Sequence, residues 1–599
     1  MKKRQFLSIL LAGVCLLSLL AGCGSKTDTD GSSDHPVITM NAPYRNMSAF
    51  YDLVKEKYPE VNLEIIPYNG ANMSSYVTDM RASGQMTDIF FNTYYTPGRY
   101  DDPDDFLDLA GYDFTGSFVQ SRLREVTLDG AVYMLPLSYN ALGITYNKTL
   151  LDKHGWTVPT SLKEMAALKD KAEEAGVIFC RDQLQFPGYG FQYLCNILDT
   201  GFLSSLDGMA WQEKFLNGQA SVSDTPAMLE AMQLLQRWRD LGLLNADGTP
   251  DSDNETKAQM VEGNTLFLIG NSNSLTDEHG DGSRVIDEFR LMPYLSEDGS
   301  HNVFILNVSR YVGLNKKLGE KGNEQKLADA LKVMAVLSTA EGINSLDPSQ
   351  SSSRLLPLKD ATVDEGNYYY TVMDALNSGH TANFIYTGWE NILVEVGQTM
   401  IEFVKGDATL GDVVRCFDEN QYRITENKPD TCTTAAETIG TKDCARAVGI
   451  AFAQAVGSEA ALISTNEWIY DPEAYTMNDK GVSGCLFPLP VGDQEITSIL
   501  PTAWNRNIET VTLTGRRIKE LAETGYNFKD EGHFYPYVLV TKGGMELDDD
   551  TRYTIPICGV TEEVSAEGNL TDTGILGLDA ARAYFSRFET LSAENIKWE

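Results

Sequence analysis

The first apolar block, Phe6 to Ala21, follows Lys2, Lys3 and Arg4 and gives way to Gly24–Asp34, a run rich in Ser, Thr, Asp and Gly. A short apolar segment behind a cationic start predicts a secretory signal that stays outside the fold, since it is too short for a comfortable membrane span. The polar run after it cannot bury enough apolar surface to order itself and predicts a tether. From Val37 the period changes: VITMNAP, MSAFYDLVKEKYP, VNLEIIPY, MSSYVTDMRASG and DIFFNTYY alternate short apolar strands with amphipathic helices. Such alternation predicts a largely parallel α/β sheet. Ligands bind such sheets at the carboxyl ends of the strands, which here present Tyr44 and Arg45, Tyr68 and Asn69, and Asn92 to Tyr95. Pro159, Thr160 and Ser161 ahead of an amphipathic run predict a helix start with a capping hydroxyl. Gly242 and Gly263 fall where helices should stop. After the polar stretch Glu426–Thr434 the pattern resumes with a helix over Lys442–Val456, a strand over Glu459–Thr465 and a mixed stretch over Asp493–Glu523. A linker and a further unit with a modest core of its own are expected there.

Composition narrows this picture. A length of 599 residues suggests about four domain-sized units, and 42% hydrophobic residues supply their cores. No later apolar run is long enough to cross a bilayer. The formal charge is −37; removing residues 1–22 takes away three cations and no acid, leaving −40. Such a chain repels nucleic acid and anionic headgroups, so neither is an expected partner. Beyond Cys15 and Cys23 there are seven cysteines, none in a CxxC pair; most are expected free and buried, with Cys180 and Cys195 the one candidate bridge. The acidic clusters Asp101, Asp102, Asp104 and Asp105, and Asp277 to Asp281, lack calcium-loop spacing and read as solvated loops. No metal and no cofactor are expected.

Two resemblances add to these readings. Leu20-Ala21-Gly22-Cys23 resembles the bacterial lipobox, which implies that Cys23 becomes the lipidated first residue of a protein held at the outer face of the cell membrane. The stretch Leu128–Leu168, with Asp129-Gly130, Leu135-Pro136, Tyr146-Asn147-Lys148 and Pro159-Thr160 in that order, resembles the extracellular solute-binding proteins of carbohydrate-type ABC importers. The resemblance continues in MLEAMQLLQRWRDLGLL (Met228–Leu244), MVEGNTLFLIGNSNS (Met260–Ser274) and TMIEFVKGDATLGDVV (Thr399–Val414). It implies a two-lobed α/β, periplasmic-binding-protein-like fold with a hinge, which closes on a small solute and delivers it to ABC permease subunits. Sugars are held by aromatic faces and by polar groups on their hydroxyls. The candidates are Tyr44, Tyr94, Tyr139, Asn140, Asn271, Asn273 and Trp389; Asn273 stands where relatives often carry tryptophan, which removes one expected stacking ring.

The last part of the chain resembles the C-terminal domain of 5'-nucleotidases. The matching residues are Ile496-Thr497, Leu500-Pro501, Trp504 with Asn505 and Asn507, Leu513-Thr514-Gly515, Asp550 and Tyr553. That resemblance implies an α/β (α+β) domain that holds a nucleoside, with Trp504 and Phe534 as candidate stacking rings. The six histidines, His35, His154, His279, His301, His380 and His533, are isolated, whereas two-metal phosphoryl chemistry needs clustered ligands. No catalytic residue is therefore expected, and the domain is read as accessory. The expected organisation is a signal peptide over 1–22, a tether over 23–35, a solute-binding unit over 36–425, a linker over 426–434 and the nucleotidase-like unit over 435–599, the two units being separable. The rival readings are an extracellular nucleotidase and a surface adhesin or sensor.

Overall fold

A computed structural model describes residues 35–44, 47–66, 73–93, 105–245, 253–270, 287–348, 354–365, 367–378, 380–384, 389–424, 431–466, 481–500, 506–524, 526–527, 534–535, 537–558 and 562–598. The alternation after Val37 gives strand β1 (Val37–Asn41), helix α1 (Ser48–Lys57), strand β2 (Asn62–Ile66), helix α2 (Met73–Ala82) and strand β3 (Ile89–Asn92). β1 pairs parallel with both β2 and β3. The helices bury Phe50, Leu53, Val54, Val77 and Met80, as crossovers on a parallel sheet must. A buried amide extends the ladder: Asn41 Nδ2 donates to Phe91 O at 2.9 Å, and its Oδ1 accepts from Phe91 N at 2.8 Å.

After the short helix α3 (Gln120–Arg124), strand β4 (Met134–Leu142) leaves this first lobe and β5 (Ile144–Asn147) enters a second. The second lobe continues with α4 (Leu162–Glu174), β6 (Ile178–Asp182), α5 (Pro187–Leu198), α6 (Pro226–Asp240), β7 (Thr265–Ile269) and β8 (Phe289–Met292), its sheet ordered β8-β5-β7-β6. α4 starts as its sequence indicates. Ser161 Oγ accepts from Glu164 N at 3.2 Å, while Glu164 Oε2 accepts from Thr160 N at 2.8 Å, a reciprocal cap. Leu162, Met165, Leu168 and Ala172 form its buried stripe. Gly242 and Gly263 take φ +72° and +80° just past α6 and past the helix Asp253–Val261.

Strand β9 (Phe304–Leu314) then returns to the first lobe, antiparallel to β4 and β3, and α7 (Glu324–Leu337) packs there. β10 (Thr381–Asn383), parallel to β9, leads back to the second lobe and its helices α8 (Glu390–Lys405) and α9 (Leu410–Asn420). The sheet is thus parallel over β1, β2 and β3 and again between β9 and β10, while β9 runs antiparallel to β3 and β4 because it comes back from the far lobe. Two cores result. One gathers Ile38, Phe50, Phe90, Leu135, Val312 and Leu337, the other Met165, Phe191, Trp238, Phe267, Ile305 and Trp389.

The remainder forms β11 (Thr433–Ala435), α10 (Thr441–Val456), β12 (Ala460–Asn466), β13 (Val482–Ser483), β14 (Pro490–Val491), α11 (Asp493–Ile499), β15 (Asn507–Thr514), α12 (Gly515–Thr524), β16 (Tyr537–Thr541), β17 (Arg552–Cys558), β18 (Thr571–Leu576), α13 (Gly577–Phe585) and β19 (Thr590–Leu591). Its main sheet is ordered β13-β12-β17-β15-β18, with β16 also on β12, and a small sheet is ordered β14-β11-β19. α10 buries Cys444, Val448 and Phe452 in a core of its own with Ala581 and Phe585 of α13. The linker expected over 426–434 ends earlier. Thr433 is buried and Thr433–Ala435 is paired on both sides, because β14 and β19 supply its ladder partners.

All seven cysteines of the described residues are free. Cys180 and Cys195 do not form the candidate bridge; the Cys180 thiol lies by the carbonyls of Arg181 and Leu243 instead. Burial pushes the thiols of Cys485 and Cys558 up to about 12, which leaves them unreactive. Among the described residues no helix is long and apolar enough to cross a membrane, and no His, Cys, Asp and Glu group is arranged to hold a metal. Asp105 pairs with Arg81 at 2.7 Å; Asp101, Asp102 and Asp104 and the stretch 277–281 lie outside the described residues, as does Cys23.

Candidate functional site

The burial of β9 locates the site. Phe304, Ile305 and Leu306 are buried at one end and Val312, Gly313 and Leu314 at the other, while Asn307 to Tyr311 between them are half-buried. The strand is inside the second core, surfaces, and enters the first. Its partner β4 runs from the first core, with Met134, Leu135 and Leu137, to Leu142 against the second, and stays buried between them except at the half-buried Asn140. The half-buried stretch Asn307 to Tyr311, with Asn140 opposite it, is the floor of the space between the lobes. Asn140 faces Asn307 across the ladder, Tyr139 faces Val308, and the register shifts on both sides of Arg310. Irregular pairing of this kind re-aims side chains.

The carboxyl end of β1 meets this floor. Arg310 Nε donates to Pro43 O at 3.0 Å, and its guanidinium lies 4.9 Å from the centre of the Tyr44 ring. Arg354, 8% exposed, lies 4.6 Å from the same ring and pairs with Asp347 at 3.5 Å. Tyr44 is therefore half-buried and held by two cation–π contacts. Beside it, at the end of β3, Thr93 N donates to Asn92 Oδ1 at 2.8 Å and the Thr93 hydroxyl meets Ser74 Oγ at 2.8 Å. The edge is rich in amides, hydroxyls and guanidiniums, the groups that read sugar hydroxyls.

The sequence-derived candidates divide. Tyr44 and Asn140 are at this floor. Tyr139 is not a ligand platform. It is 1% exposed, its hydroxyl donates to Glu125 Oε2 at 3.2 Å, and the Arg122 guanidinium lies 5.7 Å from its ring. Glu125 in turn pairs with Arg122 at 2.6 Å. Burial pushes Tyr139 and Glu125 upward from their ordinary pKa values, Arg122 opposing the rise in both. Trp389 is not in the cleft either. It is 2% exposed, stacked on Phe215 at 5.1 Å and edge-on to Phe417 at 6.2 Å, because the residue just ahead of α8 is drawn into the second core. Tyr94, Asn271, Asn273 and Trp504 lie outside the described residues; Phe534 belongs to the two-residue strand Phe534–Tyr535, paired with Tyr526–Asn527. Sequence reasoning missed Asn307, Arg310, Tyr311 and Arg354. The available signal was the polar interruption Asn307-Val308-Ser309-Arg310 inside an otherwise apolar strand.

This geometry, two lobes with their own cores joined by strands that carry a half-buried polar stretch, has known counterparts. Residues 50–345 match the family model for bacterial extracellular solute-binding protein. That stretch is similar to the extracellular solute-binding proteins. The maltodextrin-binding protein MdxE of Bacillus subtilis (strain 168) is 21% identical over 276 residues, 44% of this chain and 61% of MdxE. The chain thus spans about three-fifths of that relative's length. The family 1 extracellular solute-binding protein from Bifidobacterium longum subsp. infantis superposes with a TM-score of 0.51 at 16% identity, covering 65% of this chain and 99% of its own. RafE in complex with raffinose superposes with a TM-score of 0.50 at 12% identity, covering 65% and 100%. At these identities the likeness is one of fold, and about a third of this chain has no counterpart in either structure.

Proposed function

We propose that this chain is a solute receptor of an ABC importer, lipid-anchored through Cys23 at the outer face of the cell membrane, which captures an oligosaccharide or similar small polar solute between its lobes and passes it to membrane permease subunits. The observation that carries this reading is the half-buried polar middle of β4 and β9, Asn140, Asn307 and Arg310, between two independent cores. MdxE and RafE, which share the family or the fold, are named for or seen with maltodextrin and raffinose. The hinge is the β4–β9 pair: bending there brings the lobes together without disturbing either core. The C-terminal domain is read as a non-catalytic accessory that resembles the nucleotidase C-terminal domain, with Trp504 and Phe534 as its candidate nucleoside rings.

Calorimetric titration of the protein with maltodextrins, raffinose and stachyose tests the reading. One of them should bind one to one and raise the melting temperature, since a ligand specific for the folded state stabilises it. Asn307→Ala should weaken that binding about tenfold, roughly the 1.4 kcal/mol of one hydrogen bond to a bound polar group. No heat and no thermal shift across the sugars would overturn it. For the anchor, Cys23→Ala should abolish lipid labelling of expressed cells.

A further inference from the structure

The segment that joins β13 to α11 runs Gly484-Cys485-Leu486-Phe487-Pro488-Leu489-Pro490-Val491, and its apolar side chains point into two different cores. Leu486 and Val491 are buried in the core of the C-terminal domain. Phe487, 6% exposed, belongs to the core of the first lobe, and Cys485 and Leu489 pack against that same core. Residues 485, 487 and 489 alternate with 486, as the two faces of an extended chain do. The backbone of the segment is tied to its own domain. Ile439 and Leu486 exchange hydrogen bonds at 2.8 and 3.0 Å, Ala435 N donates to Leu489 O at 3.0 Å, and Cys432 N donates to Val491 O at 2.9 Å.

The receiving surface is α2. The Phe487 ring lies 5.5 Å from that of Tyr76, Gln494 Nε2 donates to Ser75 Oγ at 2.9 Å, and Gln85 Nε2, just past the helix, donates to Thr438 Oγ1 at 3.0 Å. Among the described residues, the core of the second lobe is built without one of the C-terminal domain. Domains in one chain move relative to one another by default unless the interface between them is substantial and hydrophobic. Phe487 of one domain, buried in the core of the other with Cys485 and Leu489 packed beside it, resists such motion, because withdrawing it leaves a cavity in the first lobe.

We propose that Cys485–Val491 is a two-sided staple that makes the C-terminal domain and the first lobe a single cooperative unit, which moves as one body against the second lobe. The independence expected from the polar linker is replaced by a fixed mount. The mount also reaches the rim of the cleft: Ser75, which receives Gln494, adjoins Ser74, which holds Thr93.

Native-state hydrogen exchange on the full chain in rising denaturant tests this, since amides of one cooperative unit lose protection together. The slowest amides of β1 and α2 should merge with those of α10 and β12 into one isotherm, while α5 and α8 of the second lobe are free to follow another. In Phe487→Ala, and more mildly in Gln494→Ala, the amides of α2 should exchange at least tenfold faster, with those of α5 unchanged. Separate isotherms for the first lobe and the C-terminal domain in the unmodified chain would overturn the proposal, and so would α2 amides that exchange at the same rate in a folded Phe487→Ala protein. If Phe487→Ala does not fold, the isotherms of the unmodified chain and the exchange rates of Gln494→Ala decide.

Discussion

Asp199 is buried in the second lobe at the point where α5 widens into a π turn, Asp199–Leu203. Its Oδ2 has no hydrogen-bond partner, and neither have Asn196 Oδ1 and Trp238 Nε1, while Asn196 Nδ2 donates to Tyr294 Oη at 3.1 Å. Burial pushes the Asp199 carboxyl well above its ordinary 3.8, so the folded protein keeps a proton that the unfolded chain releases. Stability from this group is fully present below pH 3.8 and is lost as pH rises toward the folded pKa, at up to about 1.4 kcal/mol per pH unit for one proton. Asp329 slopes the other way. Burial pulls it upward, but hydrogen bonds from His35, Lys332 and Gln325 outweigh that and hold its pKa low, so its contribution is lost as pH falls below the usual carboxylate range. The difference between unmodified and Asp199→Asn proteins isolates Asp199: denaturant midpoints at pH 5, 6 and 7 should fall more steeply in the unmodified protein. Parallel lines would mean that water or a counter-charge already satisfies the carboxylate.

At the scale of elements, α5 and α8 of the second lobe approach so closely that only glycine fits between them. A Cβ on Gly397 would sit 1.9 Å from Pro187 O, and one on Gly190 would sit 2.4 Å from Gly397 O. Gly397→Ala should therefore force the helices apart and cost about 1 to 3 kcal/mol or more, the range for overpacking. Gly188→Ala, on the facing helix α5 with its nearest neighbour at 3.9 Å, should be neutral or stabilising by up to about 1 kcal/mol through helix propensity. Thermal unfolding of the two variants checks the contrast; equal melting temperatures would mean that the helix pair yields at no cost. The elements themselves were largely legible in the sequence. The observed α10 and β12 lie within one residue of the expected helix and strand, and the Ser161 cap and the stop at Gly242 are where local chemistry puts them, because caps and periodicity are local signals. What was not legible depends on distant partners. The antiparallel run of β9, the ladder that captures Thr433, the burial of Trp389 against Phe215 and the meeting of Arg310 and Arg354 at Tyr44 join residues scores to hundreds of positions apart. A tryptophan in a polar stretch gives no local sign of which core will receive its ring.

At the scale of the whole molecule, three bodies are joined unequally. The first and second lobes are joined by the strands that cross between them and by the segment 354–372, whose Leu358 packs in the first core and whose Tyr368 and Thr371 bond the second lobe, whereas the C-terminal domain puts Phe487 into the first lobe. A net charge of −37 adds mutual repulsion that favours open arrangements in the absence of ligand, and screening at high salt should weaken that bias. Solute binding in the cleft then has to draw the second lobe toward a composite of first lobe and C-terminal domain. Spin labels or dye pairs at exposed positions should show this directly. The distance from Lys597 in the C-terminal domain to Lys57 on α1 should stay constant on addition of a binding sugar, while the distance from Lys597 to Lys171 on α4 should change by several ångströms. Because the first pair spans the staple and the second spans the hinge, the two distances separate the mount from the closure. A shift in the first with constancy in the second would place the moving joint at Cys485–Val491 and leave β4 and β9 as a rigid bridge.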